Sequence, residues 1–229
     1  MSFRGHQFTL PIHTDMTTSA LATTSVLAEF TGGAQSDIAM MIGVGIVKDS
    51  DAVFFQYLGD NQQPQALTLP TNGKPLTRLS NVKLAGIEVV DNIGEFNSTK
   101  LNLILESSAG NRVLLTSGLT TIWSQCVVNA LMAVFGEYGL QDGFTLDSWK
   151  GTSKMRPCFA AIRVGSVKVR DEDMYNQLAD ARGDRDYKRV EQIMRDAVNI
   201  LNHAVTGGAV EPVVVAVESN EQLTDHPDF

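Results

Sequence analysis

The chain has 229 residues, a formal net charge of −8, and 43% hydrophobic against 19% charged residues, the balance of an ordinary globular protein long enough to bury a substantial core. Such a composition excludes a low-complexity chain, and two cysteines, Cys126 and Cys158, exclude a disulfide framework. The acid is concentrated at one end: Thr206–Phe229 holds Glu211, Glu218, Glu221, Asp225 and Asp228 with no Lys or Arg, and without those five the chain carries 18 basic against 21 acidic residues.

Residues 1–37, rich in Thr, Ser and Gly, read as an N-terminal arm in which Met16–Phe30 suits a short helix and a strand equally. Arg4 is not followed by the apolar block of a secretory signal. The scarce cysteines fit a reducing cytoplasm as buried free thiols, so the Asn97-Ser98-Thr99 triplet carries no glycosylation meaning. Strand signals begin at Ile38–Val47 and continue at Ala52–Leu58. Asp60–Pro75 reads as loop, with Gln-Gln-Pro-Gln and Asn-Gly-Lys-Pro inside it. Leu84–Val90 and Leu101–Leu105 read as strands, the second answered by Val113–Thr116 across a Ser-Ser-Ala-Gly-Asn turn.

A helix is expected over Thr121–Phe135, capped by Thr120 or Thr121, with Trp123, Val127, Ala130, Leu131 and Val134 as its buried stripe and Gly136 and Gly139 as terminators. The uncharged run Val113–Gly136 reaches membrane-spanning length, but Thr116, Ser117, Gly118, Thr120, Thr121, Ser124, Gln125 and Asn129 punctuate it. A turn followed by this helix accounts for it, and no membrane is expected as a partner. Asp171, Glu172 and Asp173 then open a helix ending at Gly183, their charge favoured by the helix dipole. In the last helix Tyr187, Val190, Met194, Ala197, Leu201 and Ala204 step by three and four, widened by Ile193 and Ile200. A seam under three heptads is expected to pack against its own domain. Gly207-Gly208 ends the helix, and Val213–Val217 suits a final strand.

Between Ser148 and Arg170 the chain carries Lys150, Lys154, Arg156, Arg163, Lys168 and Arg170 with no Asp or Glu, and Trp149 and Phe159 are interleaved among them. Like charge clusters where solvent screens it or a partner supplies the opposite sign. Cations mixed with aromatics suit a single-stranded nucleic acid, whose phosphates attract the cations and whose bases stack on the rings. Gly165-Ser166 reads as a two-residue type II′ turn. That register sets Val164 opposite Val167, Arg163 opposite Lys168, Ile162 opposite Val169 and Ala161 opposite Arg170. Alternation then puts Ile162, Val164, Val167 and Val169 on an apolar face and Phe159, Ala161, Arg163, Lys168 and Arg170 on a basic one. The repulsion between Arg163 and Lys168 calls for a polyanion, or for an acid from elsewhere such as Glu88 or Glu106. A second acid-free stretch, Asn61–Ile87, contributes Lys74, Arg78 and Lys83 as the opposite wall of a groove.

The element order (three strands, a helix, a hairpin) is that of an OB-fold. The expected architecture is therefore α+β: an OB-like antiparallel β-barrel or sheet over residues 38–170 with an inserted helix, an appended C-terminal helical pair over 171–206, and an acidic tail over 207–229. The end of the chain, Ser219-Asn220-Glu221-Gln222-Leu223-Thr224-Asp225-His226-Pro227-Asp228-Phe229, resembles the acidic, phenylalanine-ended tip of bacterial and phage single-stranded DNA-binding proteins. The resemblance implies a tip that recruits replication and repair partners through Asp228 and Phe229, with Asp225 in the same acidic segment.

No GxxxxGK[ST], GxSxG, HExxH or CxxC occurs, Gly43-Val44-Gly45 lacks the third glycine of a dinucleotide fingerprint, and His6, His13, His203 and His226 are scattered. No cofactor and no enzymatic activity are expected. The expected function is binding of single-stranded DNA, or RNA, with low sequence specificity in a bacterial cell, as a bacterial or phage-encoded protein. Phosphate contacts are assigned to the cations and stacking to Trp149 and Phe159. The alternative is a self-assembling structural protein that uses the Tyr187–Ala204 seam and a sheet edge.

Overall fold

The computed structural model describes residues 38–48, 50–58, 63–94, 97–153 and 155–207. In chain order the elements are β1 (Ile38–Val44), β2 (Phe54–Leu58), β3 (Gln63–Ala66), β4 (Arg78–Ile93), β5 (Ser98–Ser107), β6 (Arg112–Gly118), α1 (Ile122–Glu137), β7 (Phe144–Lys150), β8 (Cys158–Val164), β9 (Val167–Val169), α2 (Glu172–Gly183) and α3 (Tyr187–Thr206). The readings on residues 1–37 and on Val213–Val217 fall outside the described residues.

The nine strands form one sheet in the order β3-β2-β1-β6-β5-β4-β7-β8-β9. All neighbours are antiparallel except β1 and β6. The α+β class holds, but the sheet is open, with β3 and β9 at its edges, so the expected closure into an OB-like barrel is not seen. Pro64 sits in the β3 edge, where a residue without an N–H discourages further pairing.

The three helices cover one face of the sheet. Trp123 of α1 is 1% exposed and its indole Nε1 donates to Ser148 Oγ of β7 at 2.9 Å. Leu101, Leu103 and Leu105 of β5, Phe144 and Leu146 of β7, and Ile162 of β8 point the same way and are buried. All five residues of the expected α1 stripe are buried, and Thr121 caps the helix by accepting from the Ser124 amide. Gly139 (φ 86°) follows as the terminator, whereas Gly136 lies inside the helix. Asp171 caps α2 in the same manner by accepting from the Met174 amide at 2.8 Å.

In α3 the residues Val190, Met194, Ala197 and Leu201 are buried, but Tyr187 is 69% exposed. The expected seam thus begins one step late and packs inside its own domain, on β4, α1 and α2. Residues from α2 and α3 join the sheet and α1 in a single hydrophobic cluster, so the helical pair completes the core of the sheet. Cys158 is buried as expected, and burial pushes its thiol up. Cys126, read as buried, is only half-buried.

Two strands escaped the sequence reading. β3 lies within the expected loop, and β7 lies in a segment to which no element was assigned. Strand β4, at 16 residues, extends well beyond the expected Leu84–Val90. Its pairing with β7 shifts between Leu79 and Val82, with Asn81 at φ 52°. Such a bulge lets both Leu79 and Val82 face the core while Arg78 stays on the opposite side. No helix among the described residues is long and apolar enough to cross a membrane.

Candidate nucleic-acid interface

The Gly165-Ser166 hairpin has the expected register: Val164 opposite Val167, Arg163 opposite Lys168, Ile162 opposite Val169. Gly165 alone of the two turn residues has a positive φ, 60°, as a type II′ turn requires. Ile162 and Val169 are buried beneath the helices, whereas Val167 at the sheet edge is exposed, so the apolar face is covered only in part.

The opposite face is free of helices among the described residues. There Trp149 of β7 stands directly across from Phe159 of β8. Their rings stack with centroids 6.1 Å apart and planes 18° from parallel. Trp149 is 41% exposed, and Lys168 Nζ lies 6.0 Å from its ring centroid, at the outer limit of a cation–π contact. On the same face the next pair is Asp147 with Ala161 and the one after it Thr145 with Arg163, and Arg78 of β4 lies opposite Asp147.

Asp147 overturns the expectation of an uncompensated cationic band. One of its oxygens accepts from Arg78 Nε at 2.5 Å and the other from Arg163 Nε at 3.0 Å. The acid that relieves the Arg163–Lys168 repulsion is therefore Asp147, and neither Glu88 nor Glu106: Glu88 accepts from Asn102, and Glu106 from Arg112. Burial pushes the Asp147 carboxyl up, but the hydrogen bonds from Arg78 and Arg163 outweigh it and hold the group below the usual carboxylate range. Both contacts use only Nε, which leaves the outer Nη edges of both guanidinium groups without hydrogen-bond partners among the described residues. Asp147 therefore holds Arg78 and Arg163 in place without consuming their capacity for a phosphate. Two cations, Arg78 and Arg163, flank one carboxylate, and Lys168 stands opposite Arg163 on β9.

The remaining expected contacts are dispersed. Lys150 points to the helix side and donates to the Val47 and Ser50 carbonyls. Arg156 pairs with Asp51 at 2.5 Å. Together they tie the β7–β8 connection to the β1–β2 connection. Arg170, placed on the basic face by the hairpin register, instead donates from Nε and Nη2 to Glu172 and lies over the Tyr175 ring at 4.2 Å. A bond that engages Nε and Nη2 together takes Arg170 out of the platform. Lys74 lies at the tip of the β3–β4 turn, where its amide donates to Asn72 Oδ1. Lys83 pairs in register with Glu106, beyond the stretch of β4 that meets β7. The groove wall expected from Lys74, Arg78 and Lys83 reduces to Arg78. Lys154 and the tail residues Asp225, Asp228 and Phe229 fall outside the described residues.

Asp147 is the site residue that sequence reasoning missed. It stands immediately before the acid-free run, and a strand pattern was available: Phe144, Leu146 and Ser148 alternate with Thr145, Asp147 and Trp149. Reading that period places Asp147 beside Trp149 on one face. Among the described residues no three His, Cys, Asp or Glu side chains group to hold a metal ion. No family model, no curated protein and no solved structure matches the chain.

Proposed function

We propose that this protein binds single-stranded DNA on the helix-free face of β7, β8 and β9. The observation that carries the reading is exposed Trp149 stacked on half-buried Phe159, with Lys168, Arg163 and Arg78 on the same face. An exposed indole backed by a nearly parallel ring is a surface on which any base stacks, and the outer guanidinium edges suit phosphates. Direct readout of base edges plays no part in this arrangement, so the platform itself is sequence-tolerant. The recruiting role implied by the resemblance of the tail, through Asp225, Asp228 and Phe229, belongs to the same proposal.

The self-assembly alternative has lost one of its two supports, because the Tyr187–Ala204 seam is spent on the core of its own domain. The two tryptophans make the test direct: Trp123 is buried and Trp149 exposed, so quenching by added oligothymidylate reports on Trp149. Quenching at low salt is expected. In an anisotropy titration of a labelled oligonucleotide, the Trp149→Ala, Phe159→Ala double variant should lose at least about tenfold in affinity, since each stacked base contributes roughly 1–3 kcal/mol. With only three phosphate-facing cations, the slope of log affinity against log salt should be shallow, about −2. Absence of binding at low salt, or full binding by the double variant, would reject this face as the site.

A further inference from the structure

Beside the platform, where β9 ends, a cavity of about 140 Å³ opens between β8–β9 and the helices α1 and α2. Its apolar lining includes Ala130, Ala160, Ala161 and Leu178, and Tyr175 stands in its wall. Lys168 lines it as well, so the same side chain borders both the cavity and Trp149. Two nearly buried amides complete the lining, Gln125 and Asn129, each 5% exposed. Gln125 is engaged at both ends: Nε2 donates to the Thr120 carbonyl and Oε1 accepts from Arg182. Asn129 is not. Its Nδ2 donates to the Asp171 carbonyl at 2.6 Å, which fixes the orientation of the amide, and its Oδ1 has no hydrogen-bond partner among the described residues. Among the described residues no buried side-chain polar atom lacks a partner, so Asn129 Oδ1 is reached by solvent, and a ligand in the cavity can donate to it in place of water.

We infer that this cavity receives one pyrimidine base of a strand lying on the Trp149–Phe159 platform, an inference that rests on the proposed binding of single strands. Size selects the ring: a cavity of about 150 Å³ accommodates a benzene molecule, so this volume matches a single six-membered ring and not the fused rings of a purine. Polarity agrees, because a pyrimidine carries N–H donors for Asn129 Oδ1 and carbonyl acceptors for the guanidinium of Arg182 at the wall. Position agrees too. Ala161 lies on β8 between Phe159 and Arg163 and lines the cavity, so a strand crossing the platform passes its mouth. The small side chains of Ala160 and Ala161 leave the ring its space. The platform then supplies sequence-tolerant stacking, and the cavity adds a preference for pyrimidine at one nucleotide.

Cys126 makes the inference testable in the intact protein, because it lines the cavity and is half-buried whereas Cys158 is buried. Alkylation by N-ethylmaleimide is followed by mass spectrometry, with Cys126→Ser to locate the label. Saturating oligothymidylate or oligodeoxycytidylate should slow modification of Cys126 by about tenfold or more, whereas oligodeoxyadenylate bound to the same occupancy should leave it nearly unchanged. Alkylated protein, its cavity filled by the adduct, should still bind all three oligonucleotides on the platform but with the pyrimidine preference abolished. That second arm separates the cavity from the self-stacking of adenine strands, which persists after alkylation. Equal protection by purine and pyrimidine strands, no protection by any bound strand, or a preference that survives alkylation would each overturn the cavity assignment while leaving platform binding intact. Failure of all three oligonucleotides to bind removes the underlying reading instead, and this inference with it.

Discussion

The two sides of the sheet formed by β7 and β8 use the same kinds of residue for opposite ends. On one side Trp123 lies 1% exposed with its indole N–H satisfied by Ser148; on the other Trp149 is 41% exposed and stacked only on Phe159. A tryptophan whose polar atom is matched and whose ring is enclosed contributes to folding. One that remains open on a face without helices contributes little to folding and offers its ring to a partner. Cations divide in the same way. Lys150 and Arg156 anchor connections between strands, whereas Arg163 and Arg78 are aligned by one carboxylate with their outer edges open. Clustering of charge in sequence therefore does not define a surface; the direction in which each strand position points does.

The sharpest break of the comparison exchanges the roles of the two tryptophans. Trp123→Ala should cost roughly 3–5 kcal/mol of stability, the range for an enclosed aromatic, read as a lowered denaturant midpoint. Ser148→Ala keeps the ring but orphans its N–H, and should cost about 1–3 kcal/mol. Trp149→Ala should leave the midpoint within about 0.5 kcal/mol of the parent while weakening oligothymidylate binding. If Trp149→Ala instead unfolds the protein, the exposed stack is part of the core and the contrast between the faces collapses.

A finer test concerns Asp147. Because its pKa is depressed in the folded state, its ion pairs stabilise at pH above the normal carboxylate range and that contribution is lost as pH falls through the lowered value. Asp147→Asn should therefore lower stability at neutrality by up to about 1 kcal/mol, with the two proteins converging and the variant's profile flattening below about pH 4. The same substitution removes the negative charge between Arg78 and Arg163, so oligonucleotide affinity should rise about two- to fivefold, the size of a single exposed charge interaction, with a steeper salt dependence. Weaker binding by Asp147→Asn would mean that alignment of the two arginines by the carboxylate outweighs its charge.

Much of the local structure was legible in the residues. The hairpin register follows from Gly165-Ser166, because only certain two-residue turns match strand twist and glycine supplies the positive φ. The α1 stripe and its Thr121 cap, the Asp171 cap of α2 and the buried positions Val190, Met194, Ala197 and Leu201 of α3 follow from helical period and end chemistry. These features are set by groups within about four residues of one another, a range over which sequence and geometry correspond directly.

Tertiary structure decided the rest. No local signal says that β1 lies parallel to β6, that the sheet stays open, or that Arg78 meets Arg163 across Asp147, 69 and 16 residues away from it in sequence. Those outcomes depend on strand order, which reflects how the whole apolar surface is best enclosed. For the same reason the hairpin register already placed Phe159, Arg163 and Lys168 on one face, but only the sheet added Trp149 and Arg78 to that side and turned Lys150, Arg156 and Arg170 elsewhere. Side-chain direction alternates along each strand, and which of the two directions meets solvent is fixed by where the helices pack.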